Sequence, residues 1–125
     1  MKITIGLELD IMLDTYESGN FIRTGSLRLD YNQDNEDNIE SEKTGKIELL
    51  LFKNIEAYQN GAKPLNWRYS IPLKYTLIEL FSPIKPLPEL LYDKIIKYSY
   101  CQQNNEEETI LIEPFKNAKR LIINI

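Results

Sequence analysis

Strict alternation between aliphatic and mostly polar side chains runs from Ile3 to Leu13. Every odd position in this segment is aliphatic, and four of the five even positions between them are polar or glycine. A period of two places alternate side chains on opposite faces of a strand, and it does not match one face of a helix. The pattern therefore predicts a half-buried β-strand.

A second alternating run extends from Phe21 to Tyr31 and follows a turn-rich segment. Two such runs joined by a short turn predict a long antiparallel hairpin. If the loop covers residues 16–20, Glu8 lies directly opposite Arg28. An ion pair between them would help to fix the register of the hairpin.

The middle of the chain predicts two further strands. Ile47 to Phe52 is a continuous apolar run, which is typical of a strand covered on both faces. Residues 67–80 alternate again, but Pro72 lies within the run. Because proline has no N–H to donate to a ladder, this strand is expected at a sheet edge or to be bulged.

Helices and short strands are expected in the remaining segments. Asn54 and Gly61 are suitable cap residues for one helical turn between them. Residues 88–100 predict an amphipathic helix, with Leu91 and Ile95 on its apolar side. Two short strands are expected at 109–113 and 121–125.

These elements predict one α+β domain over residues 1–125. The length suits a single domain with its own core. Consecutive strands with short connections favour a mainly antiparallel, twisted β-sheet of about six strands with one covering helix. A small half-open β-barrel is the alternative architecture.

The charge and the cysteine content indicate which partners and which cellular compartment to expect. The net charge is −4; residues 1–62 carry six Lys/Arg and twelve Asp/Glu, whereas residues 63–125 carry nine and seven. This balance disfavours nucleic acid and anionic membranes as partners, because both favour basic surfaces. No apolar run has the length of a membrane span, and Cys101 is the single cysteine. We therefore expect a cytoplasmic protein in a reducing compartment.

The sequence lacks most of the residues and motifs that are common in enzyme active sites. It contains no histidine, which excludes Ser-His-Asp and Cys-His mechanisms and His-ligated metals. It also has no Walker-type or G-x-G-x-x-G loop. We expect no cofactor and no metal. Glu8 and Asp10 would lie about 6.5–7 Å apart along one strand face, a spacing that leaves a carboxylate-based enzyme open as an alternative.

Residues 32–46 are polar and acidic, and they predict a loop. Asp30, Asn32 and Asp34 begin a spacing of oxygen ligands that resembles a Ca²⁺ loop. The pattern then fails, because Asn35 replaces the required glycine and Ser41 replaces the final acid. The loop is expected to bind another protein instead. The candidate partner-binding residues are Asp34, Glu36, Asp37, Glu40 and Glu42, with Trp67 and Tyr69 as aromatic anchors.

The predicted function is a non-enzymatic protein–protein interaction module: a small cytoplasmic inhibitor, an immunity-type protein or a complex subunit. A basic partner protein would gain association rate from the acidic surface. An exposed sheet edge would also allow homodimerisation by strand pairing. The alternative is a small-ligand-binding or carboxylate-based enzyme domain, so an enzymatic role stays open.

Overall fold

The structure, a computed structural model, describes residues 1–13, 16–30, 41–81, 85–104 and 108–125. Strands dominate, and three short helices accompany them. In chain order the elements are β1 (Lys2–Met12), β2 (Ser18–Asp30), β3 (Lys43–Phe52), α1 (Ile55–Gln59), β4 (Arg68–Tyr75), α2 (Leu77–Phe81), α3 (Leu87–Lys97), β5 (Tyr100–Asn104), β6 (Glu108–Ile112) and β7 (Lys119–Asn124).

Five of the strands form one antiparallel sheet in the order β4-β3-β2-β1-β7, and β5 and β6 form a separate hairpin. The predicted α+β class with a mainly antiparallel sheet is confirmed. The described strands do not close into a barrel, because β4 and β7 stand at opposite edges of the large sheet. Pro72 indeed lies on an edge strand, as its missing N–H requires.

The hairpin of β1 and β2 forms, but its predicted register is wrong. The turn comes earlier than expected, so that Met12 pairs with Ser18 and Glu8 lies opposite Phe21. Tyr16 supports this early turn with a positive φ of 65°, which is uncommon for a bulky residue. Arg28 lies opposite Lys46 instead of Glu8.

Strand β1 also departs from the expected alternation of faces. Its ladder with β7 shifts register between Thr4 and Gly6, which inserts Ile5 as an extra residue. A one-residue insertion moves the following side chains to the other face. Thr4 and Leu7 are therefore both buried on the same side of the sheet, which we call the α3 face.

The main core lies between the α3 face and helix α3. Leu91, Tyr92 and Ile95 of the helix pack against sheet residues of all four strands β1 to β4. The Tyr92 hydroxyl donates to the carbonyl oxygen of Ile5 and accepts from the N–H of Thr24, both at 3.3 Å. The predicted apolar stripe of this helix is confirmed.

The opposite face of the sheet, which we call the outer face, is covered near α1. Asn54 caps this helix by accepting from the N–H of Ala57, and Gly61 follows it with a φ of 83°. Tyr58 packs its ring against Phe21 and Phe52. The Arg23 guanidinium lies 4.6 Å from the centre of the Tyr58 ring. The helical turn expected between Asn54 and Gly61 is confirmed.

Strand β4 ends earlier than the alternation predicted. Thr76 begins α2: its hydroxyl accepts from the N–H of Glu79, and the Glu79 carboxylate accepts from the N–H of Thr76. This reciprocal pair is a capping box, which favours a helix start. Among the described helices, none has the length and apolar character needed to cross a membrane.

Candidate functional site

The hairpin of β5 and β6 projects from the domain. Its two strands pack mainly against each other and make little contact with the other described elements. Cys101 lies opposite Leu111, and Gln102 lies opposite Ile110. Ile110 and Leu111 are 42% and 57% exposed. The hairpin thus presents adjacent apolar side chains on both of its faces.

Tyrosine side chains anchor the base of this hairpin. Tyr98 follows the last turn of α3, and its ring lies 5.8 Å from that of Tyr100 at the start of β5. Burial, together with the neighbouring Tyr100 and Tyr98, raises the pKa of Tyr69 above its usual value. Tyr69 therefore stays neutral at physiological pH and connects β4 to the base of the hairpin.

The two predicted aromatic anchors are half-buried and belong to the same cluster. Trp67 stacks on Tyr69 with ring centres 5.8 Å apart, and Tyr69 meets the edge of Phe115 at 5.2 Å. Such contacts are typical of a packed aromatic cluster.

Of the five predicted acidic residues the structure describes only Glu42, and Glu42 lies far from these aromatic side chains. Glu42 is exposed and immediately precedes β3. In the ladder, Lys43 pairs with Tyr75 and Leu50 pairs with Arg68, so Glu42 and Trp67 lie beyond opposite ends of it, about 30 Å apart along the strands. The other candidate acids lie outside the described residues: Asp34, Glu36, Asp37 and Glu40.

A pocket of about 550 Å³ lies between β4, the end of α3 and the base of the hairpin. Its apolar wall includes Ile47, Ile71 and Leu73, and its polar rim includes three lysines and two tyrosines: Lys74, Lys94, Lys97, Tyr98 and Tyr100. Its volume falls within the range of small-molecule sites. The basic rim would suit an anionic ligand with an apolar body.

The carboxylates considered for acid–base chemistry do not line this pocket. Glu8 and Asp10 are both exposed on β1, and Glu8 lies between Phe21 and Lys119 of the neighbouring strands. Within the described ranges, no cluster of three or more Cys, Asp or Glu side chains could hold a metal ion. Most residues of the pattern that resembles a Ca²⁺ loop lie outside the described ranges.

A second group of charged side chains joins α3 to the sheet. Glu89 accepts from the Thr4 hydroxyl at 2.8 Å and from Arg120 at 3.1 Å. Asp93 forms ion pairs with Arg120 and Lys85. The pKa of Glu89 lies below its usual value. Burial acts to raise this pKa, but the hydrogen bonds from Thr4 and the charge of Arg120 outweigh it. These charges compensate one another, which is typical of a structural network.

Sequence reasoning missed the β5 half of the projecting hairpin. The residues from Cys101 to Asn104 show no apolar alternation, so the sequence predicts no strand there. A signal that could have indicated the hairpin is the presence of two asparagines, which favour turns, at Asn104 and Asn105, ahead of the expected strand at 109–113.

Comparisons with protein families, with curated proteins and with solved structures find no match for this chain.

Proposed function

We propose that this protein is an interaction module that binds another protein through the β5–β6 hairpin. The observation that carries the proposal is the exposure of Ile110 and Leu111 on a hairpin that packs mainly against itself. An isolated two-stranded hairpin is only marginally stable in water. Exposed apolar side chains on such an element gain stabilisation when a partner covers them.

The charge of the hairpin indicates the chemistry of the partner. Glu108 is exposed at the start of β6, and Glu106 and Glu107 precede it directly in the sequence. We infer a partner protein with an apolar groove and a basic rim. Attraction between acidic and basic surfaces would accelerate the encounter.

The proposed role is therefore that of an inhibitor, an immunity-type protein or a subunit of a complex. The exposed, unpaired Cys101 supports a reducing, cytoplasmic setting. The half-buried stack of Trp67 and Tyr69 lies near the base of the hairpin and supports a contact that extends beyond the hairpin itself.

Native mass spectrometry of the protein isolated from its own host tests the proposal. We expect a stoichiometric protein companion that dissociates as the salt concentration rises. Ile110→Ser should release the companion. Ile78→Ser is the matched control, because Ile78 of α2 is exposed to a similar extent, 47% against 42%. Loss of the companion in the control alone, or no protein companion at all, would overturn the proposal.

A second candidate function rests on the pocket beside α3. Lys74 and Lys97 are exposed at its rim, and the wall is apolar, so a small anionic ligand with an apolar body is its expected occupant. The same spectra would reveal such a ligand as an added small mass. Lys97→Ala should remove that mass without affecting a protein companion on the hairpin.

A further inference from the structure

The two edges of the five-stranded sheet differ in how they are protected. On β4, Pro72 lacks an N–H, and the Lys94 side chain donates to the carbonyl oxygen of Lys74 at 2.8 Å. Proline and an overlying charged side chain both hinder the addition of another strand. The β4 edge is therefore protected against pairing.

Among the described residues, the second half of the β7 edge has neither a proline nor a charged side chain that would protect it. In the part of the chain that the structure describes, no strand pairs with the outer side of β7. Ile122 and Ile123 are 53% and 42% exposed, and Ile125 just beyond the strand is 71% exposed. Since successive side chains point to opposite faces, this edge is apolar on both faces of the sheet.

We propose that β7 pairs with β7 of a second copy of this chain. Antiparallel pairing about a two-fold axis would join the two five-stranded sheets into one continuous sheet. Pairing of this kind stops at a dimer, because each copy has one β7 edge and that edge is used in the contact. This surface is separate from the hairpin, so the inference does not depend on the proposed function.

The charges of β7 favour a second copy in this orientation. Lys119 and Arg120 lie at the start of the strand, and residues 121–125 carry no charged side chain. Antiparallel pairing centred near Ile122 sets Lys119 and Arg120 of each copy opposite residues of the other that have no charged side chain, whereas parallel pairing would oppose like charges. The Arg120 charge is also compensated within its own chain by Glu89 and Asp93.

Sedimentation equilibrium over a dilution series tests this inference. A reducing buffer prevents the exposed Cys101 from linking two copies. The wild-type protein should show a reversible monomer–dimer equilibrium. Ile123→Lys should weaken dimerisation by about tenfold or more, because an edge lysine blocks strand pairing. Ile78→Lys on α2 is the matched control, since Ile78 and Ile123 are exposed to a similar extent, 47% and 42%, and it should leave the equilibrium unchanged.

Three results would overturn the inference: a monomer at every concentration, open-ended oligomers in place of a dimer, or an equal effect of Ile78→Lys. Hydrogen exchange of the wild-type protein gives a measurement that is independent of whether the variant folds. Amide protection in β7 should rise with protein concentration, whereas protection in β4 should not. Concentration-independent protection in β7 would also contradict the pairing.

Discussion

Glu89 accepts hydrogen bonds from both the backbone N–H and the hydroxyl of Thr4, one on each carboxylate oxygen. This side chain thereby attaches α3 to β1 at the bulge. The bulge exposes the Thr4 N–H to the helix, because the β1–β7 ladder is interrupted between Thr4 and Gly6. Glu89 thus satisfies a backbone donor that the sheet leaves unpaired.

Replacing Glu89 by Gln should lower the free energy of unfolding by about 1–3 kcal/mol, because a partly buried, charge-assisted network loses its anion. Urea denaturation measures this change. Glu48→Gln is the control: Glu48 also has an ion pair and a hydrogen bond, but both are exposed. The control should change stability by less than about 1 kcal/mol. Equal losses in both variants would contradict the role of Glu89.

The lowered pKa of Glu89 also predicts a pH dependence of stability. A carboxyl whose pKa is lower in the folded than in the unfolded protein stabilises the fold at pH values above its unfolded pKa. That stabilisation should decline as the pH falls below about 4.5, the usual value for Glu. Unfolding free energies of the wild type and Glu89→Gln should therefore converge between neutral and acidic pH. A constant difference would contradict the prediction.

Gly6 should not tolerate a larger residue. A Cβ at this position would lie 2.5 Å from a Phe21 ring carbon and 2.8 Å from the Ile22 carbonyl oxygen. We expect Gly6→Ala to destabilise the protein by about 1–3 kcal/mol in thermal unfolding, as overpacking does. In a Phe21→Leu background the additional effect of Gly6→Ala should be smaller. Full additivity of the two substitutions would show that the Phe21 ring is not the obstacle.

The projecting hairpin should contribute little to global stability. Ile110→Ser should change the free energy of unfolding by less than about 0.5 kcal/mol, whereas Ile95→Val in the core should cost about 0.5–1.5 kcal/mol. Hydrogen exchange should show faster amide exchange in β5 and β6 than in β2 and β3, because local opening requires few contacts to break. Equal protection in both sheets would mean that the hairpin is packed and not available to a partner.

The alternation of β1 predicted its secondary structure correctly but not its faces. Periodicity identifies a strand because the pattern extends over many residues, and a single inserted residue does not remove it. The bulge at Ile5 depends on contacts with β7 and Glu89, which are distant in sequence. The face of each residue therefore could not be read from the pattern alone.

The predicted register of the β1–β2 hairpin was wrong for a related reason. The predicted loop at 16–20 used the composition of the turn, whereas the observed turn places Tyr16 at a positive φ. A tyrosine gives no sequence signal for that conformation. The aromatic cluster was easier to predict, because Trp67 and Tyr69 share one face of an alternating strand, yet its contact with Phe115 required the tertiary fold.

The last prediction concerns the acidic segment at residues 32–46, whose role in partner binding is inferred from the sequence. Neutralising five acids should slow association with a basic partner and flatten its salt dependence, because steering depends on local charge. The test variant carries Asn or Gln at Asp34, Glu36, Asp37, Glu40 and Glu42. A control with the same change in net charge carries Gln or Asn at Glu8, Asp10, Glu17, Glu48 and Glu56. Stopped-flow association with the isolated companion measures both variants. If the control slows association as much as the test variant, the overall charge of the protein, and not this segment, steers the partner.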